Sequence, residues 1–128
     1  MISHWKRFEG VPNGRRREMA RITLGPNCTI SFNAHAFRSF GEPSAVELFF
    51  DGNRNMIGLL PCDPHKKNAF PIRKRRSSKH VHVSIGAFLT HFKIKPTSTM
   101  LFEEIDQDKD GMIILDMTKT TNVSRGSR

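Results

Sequence analysis

Two stretches decide how this chain folds: Thr29-Ile30-Ser31-Phe32-Asn33 with Ala36-Phe37 behind it, and His80-Val81-His82-Val83-Ser84 with Ala87-Phe88 behind it. Each alternates between side-chain types with period two, as a strand with one buried face does. Each then reaches a residue that caps helices, Asn33 or Ser84. A short apolar helix follows in both. In Ala34 to Phe40, Phe37 and Phe40 are three apart; in Ile85 to Phe92, Phe88 and Phe92 are four apart, so each pair shares a helix face.

Outward from these stretches the order of elements is also shared. Arg21 to Leu24 reads as a short leading strand that turns at Gly25-Pro26-Asn27 into Cys28 to Phe32. Gly41 closes the first helix, and Pro43, like Pro96 after the second, stops it from continuing. Val46 to Phe50, a turn at Asp51 to Asn55, and Met56 to Leu60 make a hairpin. In the second copy the strand Met100 to Ile105, the turn Asp106 to Gly111 and the returning strand Met112 to Leu115 take the same places. An isolated hairpin does not stand in water, so the two units are expected to complete one another in a single core.

The sequence divides accordingly. Residues 1–20 are expected to be a basic flexible arm, with Trp5 and Phe8 able to tuck back onto the body. Residues 21–62 are the first strand–helix–hairpin unit, 63–79 a basic connector, 80–117 the second unit, and 118–128 a basic disordered tail. Ala69 to Ile72 is the one part of the connector suited to lie along the body as an edge strand.

Of 128 residues, 37% are hydrophobic, and these cluster in the two units; the formal net charge is +9. The charge is unevenly placed. The arm, the connector and the tail are strongly positive, whereas residues 22–62 and 81–117 each carry a slight acidic excess. Basic segments on a near-neutral body point to an anionic partner. No apolar run reaches the roughly 18 residues of a membrane span, and residues 1–21 lack the apolar core of a signal peptide, so a cytoplasmic location is expected. Two cysteines, Cys28 and Cys62, make no disulfide framework and are expected as free thiols.

The first unit resembles the swapped-hairpin DNA-binding domains of the AbrB type, which include the MazE antitoxins and the MraZ regulators. Ile30 and Phe32 fall on that family's apolar strand positions, Phe40-Gly41 on its Leu-Gly helix end, Val46 and Leu48 on its next strand, and Arg21 near its leading basic position. Cys28-Thr29 stands where Gly-Arg is expected and Asn33 where Pro is expected. The resemblance implies an α+β, mainly β fold in which the tandem units form one swapped-hairpin-like barrel body. It also implies DNA binding, as a transcriptional regulator or an antitoxin-type protein does. AbrB-type hairpins interleave between two copies, so it implies a homodimer, or a pseudo-dimer where one chain carries both units.

Other constellations point less far. Asp106, Asp108 and Asp110 with Gly111 have the spacing of a calcium-binding loop, but Met117 stands where its bidentate Glu is needed. An acidic hairpin turn is the expectation. Cys62 and His65 have the spacing of half a zinc site, and His80 and His82 are two further ligand types, yet these two alternate as an outward strand face does. No metal and no cofactor are expected. With no nucleophile elbow, glycine-rich phosphate loop or HExxH motif, the chain reads as a binding protein and not an enzyme.

The candidate nucleic-acid contacts are Arg15, Arg16, Arg17 and Arg21 before the first unit, and Arg73, Lys74, Arg75, Arg76 and Lys79 after it. Arginine at this density suits bidentate contact with phosphate oxygens, on DNA before RNA. The other expectation is a protein–protein or assembly module whose basic segments hold an acidic partner.

Overall fold

The structure, a computed structural model, describes residues 19–74 and 80–123. The elements run β1 (Ile22–Leu24), β2 (Thr29–Phe32), α1 (Ala34–Ser39), β3 (Ala45–Asp51), β4 (Met56–Cys62), β5 (Phe70–Pro71), β6 (Arg73–Lys74), β7 (Val81–Ser84), α2 (Gly86–His91), β8 (Met100–Phe102), β9 (Ile105–Gln107), β10 (Ile113–Asp116) and β11 (Thr120–Asn122). The fold is mainly β. One sheet has the order β11-β8-β1-β2-β7-β6 and the other β5-β3-β4-β10-β9, with antiparallel pairing throughout.

The stretches 29–32 and 80–83 meet inside the first sheet, where neither forms an edge. β2 pairs with β7 in the register Thr29↔Ser84, Ile30↔Val83, Ser31↔His82 and Phe32↔Val81. The second sheet is joined at its centre by β4 and β10, with Leu59 opposite Ile113 and Ile57 opposite Leu115. Alternation sends Ile22, Leu24, Ile30, Phe32, Val81 and Val83 inward from the first sheet, and Val46, Ile57, Leu59, Ile113 and Leu115 inward from the second. All belong to one buried cluster, which also takes in Phe37 and Phe40 from the α1 region and Phe88 and Leu89 from α2. Phe40 stacks on Phe32 with ring centroids 5.8 Å apart. Truncating a phenylalanine as buried as Phe32 to alanine costs about 3–5 kcal/mol.

The caps follow local chemistry. Asn33 caps α1, its Oδ1 accepting from the Ala36 N–H at 2.9 Å. After α1, the Glu42 N–H donates to the Phe37 carbonyl and the Gly41 N–H to that of Arg38, with Gly41 at φ +92°. This paired closure needs a left-handed residue, which glycine supplies without strain. After α2, Ile94 and Lys93 make the same two bonds to Leu89 and Thr90, and Lys93 takes the left-handed place at φ 58°.

Four expectations are corrected. The barrel is not closed, because hydrogen bonding resolves into two sheets, with β11 and β6 at the edges of one and β5 and β9 at the edges of the other. Ser84 does not cap α2: it remains in β7 opposite Thr29, and the Ile85 N–H donates to the Cys28 carbonyl, which carries the pairing past the expected helix start. The expected strand from 100 to 105 breaks at the exposed pair Glu103-Glu104. Its first part, β8, pairs with β1 and β11, and its continuation, β9, crosses to pair with β10. Finally, the expected disordered tail holds β11, whose Thr120, Thr121 and Asn122 pair with β8. β-branched threonines suit an edge strand, where backbone pairing matters more than an apolar face.

Candidate nucleic-acid interface

The register of the first sheet fixes where the basic segments attach. Ile22 lies opposite Phe32, Phe32 opposite Val81, and Val81 opposite Lys74. These four residues form one row across the sheet, and it is a terminal row. β1 and β7 begin there, and β2 and β6 end there. The chain therefore enters the body at Arg21 and leaves β6 at Lys74 from the same end of the sheet. Three strand spacings, about 14 Å, separate the two points.

Arg21 is held by its backbone. Its N–H donates to Asn33 Oδ1 at 3.0 Å, and its carbonyl accepts from the Asn33 N–H at 3.0 Å. The Asn33 side chain also donates to the Met19 carbonyl at 2.8 Å. One residue thus starts α1 and anchors the lead-in to β1. Arg73 and Lys74 are exposed on edge strand β6, with Arg73 opposite His82. Arg15, Arg16, Arg17, Arg75, Arg76 and Lys79 lie outside the described residues. The described residues carry eleven Lys and Arg against ten Asp and Glu, so ten of the 21 basic side chains, and nearly all the excess positive charge, belong to the segments outside them.

The remaining candidates separate. Among the described residues no group of three or more His, Cys, Asp or Glu is placed to hold a metal ion. Cys62 ends β4 in the second sheet, whereas His82 stands in β7 of the first. His65 is exposed, with Nδ1 3.2 Å from Asp63 Oδ1. Burial pushes the Cys62 thiol above its ordinary pKa, reinforced by the nearby Glu47 carboxylate. The half-buried His82 keeps Nδ1 out of solvent without a hydrogen-bond partner, an arrangement that sequence spacing could not show.

The expected turn from Asp106 to Gly111 starts later: Asp106 stands in β9 opposite Ile114, and residues 108–112 connect β9 to β10. Asp108 Oδ1 accepts from the backbone N–H groups of Asp110 and Met112 at 2.9 and 3.0 Å, and Gly111 adopts φ +87°. The Asp108 carboxylate is thus occupied in shaping its own turn.

No helix among the described residues is long and apolar enough to cross a membrane. Comparison with family models, curated proteins and solved structures gives no match.

Proposed function

We propose that the protein binds nucleic acid, DNA in preference to RNA, by gripping phosphates with the basic segments that adjoin Arg21 and Lys74. The observation that carries this reading is the terminal row Ile22–Phe32–Val81–Lys74 on a body that is itself nearly neutral. A polyanion at that end meets Arg21, Arg73 and Lys74 together with the sequence neighbours Arg15 to Arg17 and Arg75, Arg76 and Lys79. Phosphate contact of this kind positions the protein without reading sequence.

In the same reading the body is a duplicated, interleaved hairpin unit of the AbrB type, with a regulatory or antitoxin-like role and no catalytic activity. Its support is the exchange of strands between halves: β8 pairs with β1, and β3 with β5. In the first case the strand after α2 joins the leading strand of the first unit; in the second the strand after α1 joins β5, in the connector that leads into the second unit. Because these pairs close within one chain, we favour a single-chain pseudo-dimer over a homodimer.

Electrophoretic mobility shift on random duplex DNA and RNA at two salt concentrations tests the reading. Affinity should fall steeply with salt, with a log–log slope of about −0.9 per neutralised phosphate on B-DNA. Replacing Arg73, Lys74, Arg75 and Arg76 together by alanine should flatten that slope by up to about four units. The β6–β7 pairing uses backbone groups, so the fold should survive. Unchanged binding by the quadruple variant at low salt refutes the proposal.

One observation favours a protein partner instead. Phe49 is 47% exposed on the outer face of the second sheet, beside Met56, Met112 and Ile114. Indifference to nucleic acid, with a stoichiometric acidic protein bound, would establish that second reading.

A further inference from the structure

The two ends of the body are built alike but filled differently. In the hairpin β3–β4, Phe50 stands opposite Ile57; in the hairpin β9–β10, Gln107 stands opposite Ile113. Since β4 and β10 pair about a centre at Gly58 and Ile114, Phe50 and Gln107 occupy corresponding places. At the α2 end, Phe50 packs against Phe88 and Phe92, with ring centroids at 6.4 and 4.9 Å. At the α1 end no ring among the described residues stands in Gln107's place. A recess of about 180 Å³ remains there, walled by Ile22, Ala36, Phe40, Ile105 and Ile113, with Ser39 and Gln107 as its polar groups. An apolar cavity of roughly 150 Å³ accepts benzene, so this volume suits one planar ring.

Its position says which ring. Ala20 and Ile22 both line the recess, and Arg21 lies between them in the chain. The recess therefore opens at the end of the body where the basic segments attach. Gln107 spends one amide hydrogen on the Gly111 carbonyl at 3.1 Å, leaving its oxygen and second hydrogen free for the edge of a heterocycle. We propose that this recess is a binding site for one unstacked nucleobase of a single-stranded or frayed nucleic acid whose backbone passes Arg21. The inference rests on the nucleic-acid reading above. An apolar wall for the ring face and a few polar groups for its edge is the chemistry by which proteins hold splayed bases.

Fluorescence anisotropy with three labelled probes of equal length separates the possibilities: a single-stranded oligodeoxynucleotide, the same strand with abasic sites throughout its centre, and a duplex. The parent should bind the intact strand on the order of tenfold more tightly than the abasic strand, the contribution of one stacked base. Gln107→Phe, which puts a ring where Phe50 stands at the other end, should erase that preference and leave salt-dependent duplex binding intact. Ser39→Phe, at an exposed position on the rim, serves the same purpose if Gln107→Phe melts early. Equal affinity for intact and abasic strands, or a preference untouched by a folded filling variant, overturns the base site while the phosphate reading stands. Absence of binding to all three probes overturns both.

Discussion

The side chain of Asn33 carries the backbone of Arg21, accepting its N–H at 3.0 Å while capping α1 through the same oxygen. Asn33→Ala removes both acceptor bonds and the donation to Met19. A lost cap costs about 1 kcal/mol, and two further bonds raise the expected loss to about 2–3 kcal/mol. Urea denaturation should show a lower midpoint with an unchanged slope. Asn33→Asp, which keeps the acceptor, should recover most of the difference. A variant as stable as the parent would mean that this anchor contributes nothing.

Lys93 occupies the left-handed position that Gly41 fills in the other unit, with the same pair of closing hydrogen bonds. A non-glycine residue there is strained, so Lys93→Gly should stabilise the protein by about 0.5–1 kcal/mol. Gly41→Ala should destabilise it by about 1 kcal/mol. Differential scanning calorimetry reads both; melting shifts of the same sign would contradict the assignment.

The fragment 1–62 should not fold alone as a monomer. It keeps β1 to β4 but loses β7 beside β2 and β10 beside β4, the partner from the second unit in each sheet. Circular dichroism and light scattering should find it unfolded or self-associated. A cooperative monomeric melt would show that the core is not shared.

Asp116 accepts from the Thr118 hydroxyl at 2.6 Å and the Thr118 N–H at 2.9 Å, and these bonds hold its carboxyl below the ordinary 3.8. A depressed carboxylate stabilises the fold above its unfolded pKa and stops doing so as pH falls through the folded value. Asp116→Asn should therefore melt lower than the parent at pH 7, and the gap should narrow by pH 2. A gap that is the same at both pH values would assign the effect to the turn's geometry and not to charge.

Much of the body was legible because burial imposes a period. The alternation in 29–32 and 80–83 marked β2 and β7, two paired interior strands of the first sheet, and Asn33 and Gly41 marked both ends of α1. What was missed depends on backbone pairing and leaves little trace in side chains. β11 is threonine and asparagine, and β8 turns into β9 at two exposed glutamates. Open sheets and a closed barrel also demand the same inward residues, so the pattern did not separate them. The candidate site was half legible. Charge runs named the basic residues, but only the register Ile22–Phe32–Val81–Lys74 put their attachment points at one end. The recess beside Gln107 lies where Phe50 stands at the other end, and composition cannot show that correspondence.

In each sheet the pairing that joins the two units links residues far apart in the chain, Ile30 with Val83 and Leu59 with Ile113. Local elements such as α1 and the β3–β4 hairpin form in microseconds, whereas these pairings must wait for distant chain. On the ribosome the wait is longer. At roughly 5–20 residues per second, residues 60 to 115 take on the order of 3–11 seconds to make. During that interval β2 and β4 present unpaired edges and the apolar rows of Ile30, Phe32, Ile57 and Leu59. The nascent first half is thus a strand template open to any other chain, including a second nascent copy of itself. A chaperone that holds extended apolar segments should bind this protein during synthesis and let go once the segment containing β10 has emerged.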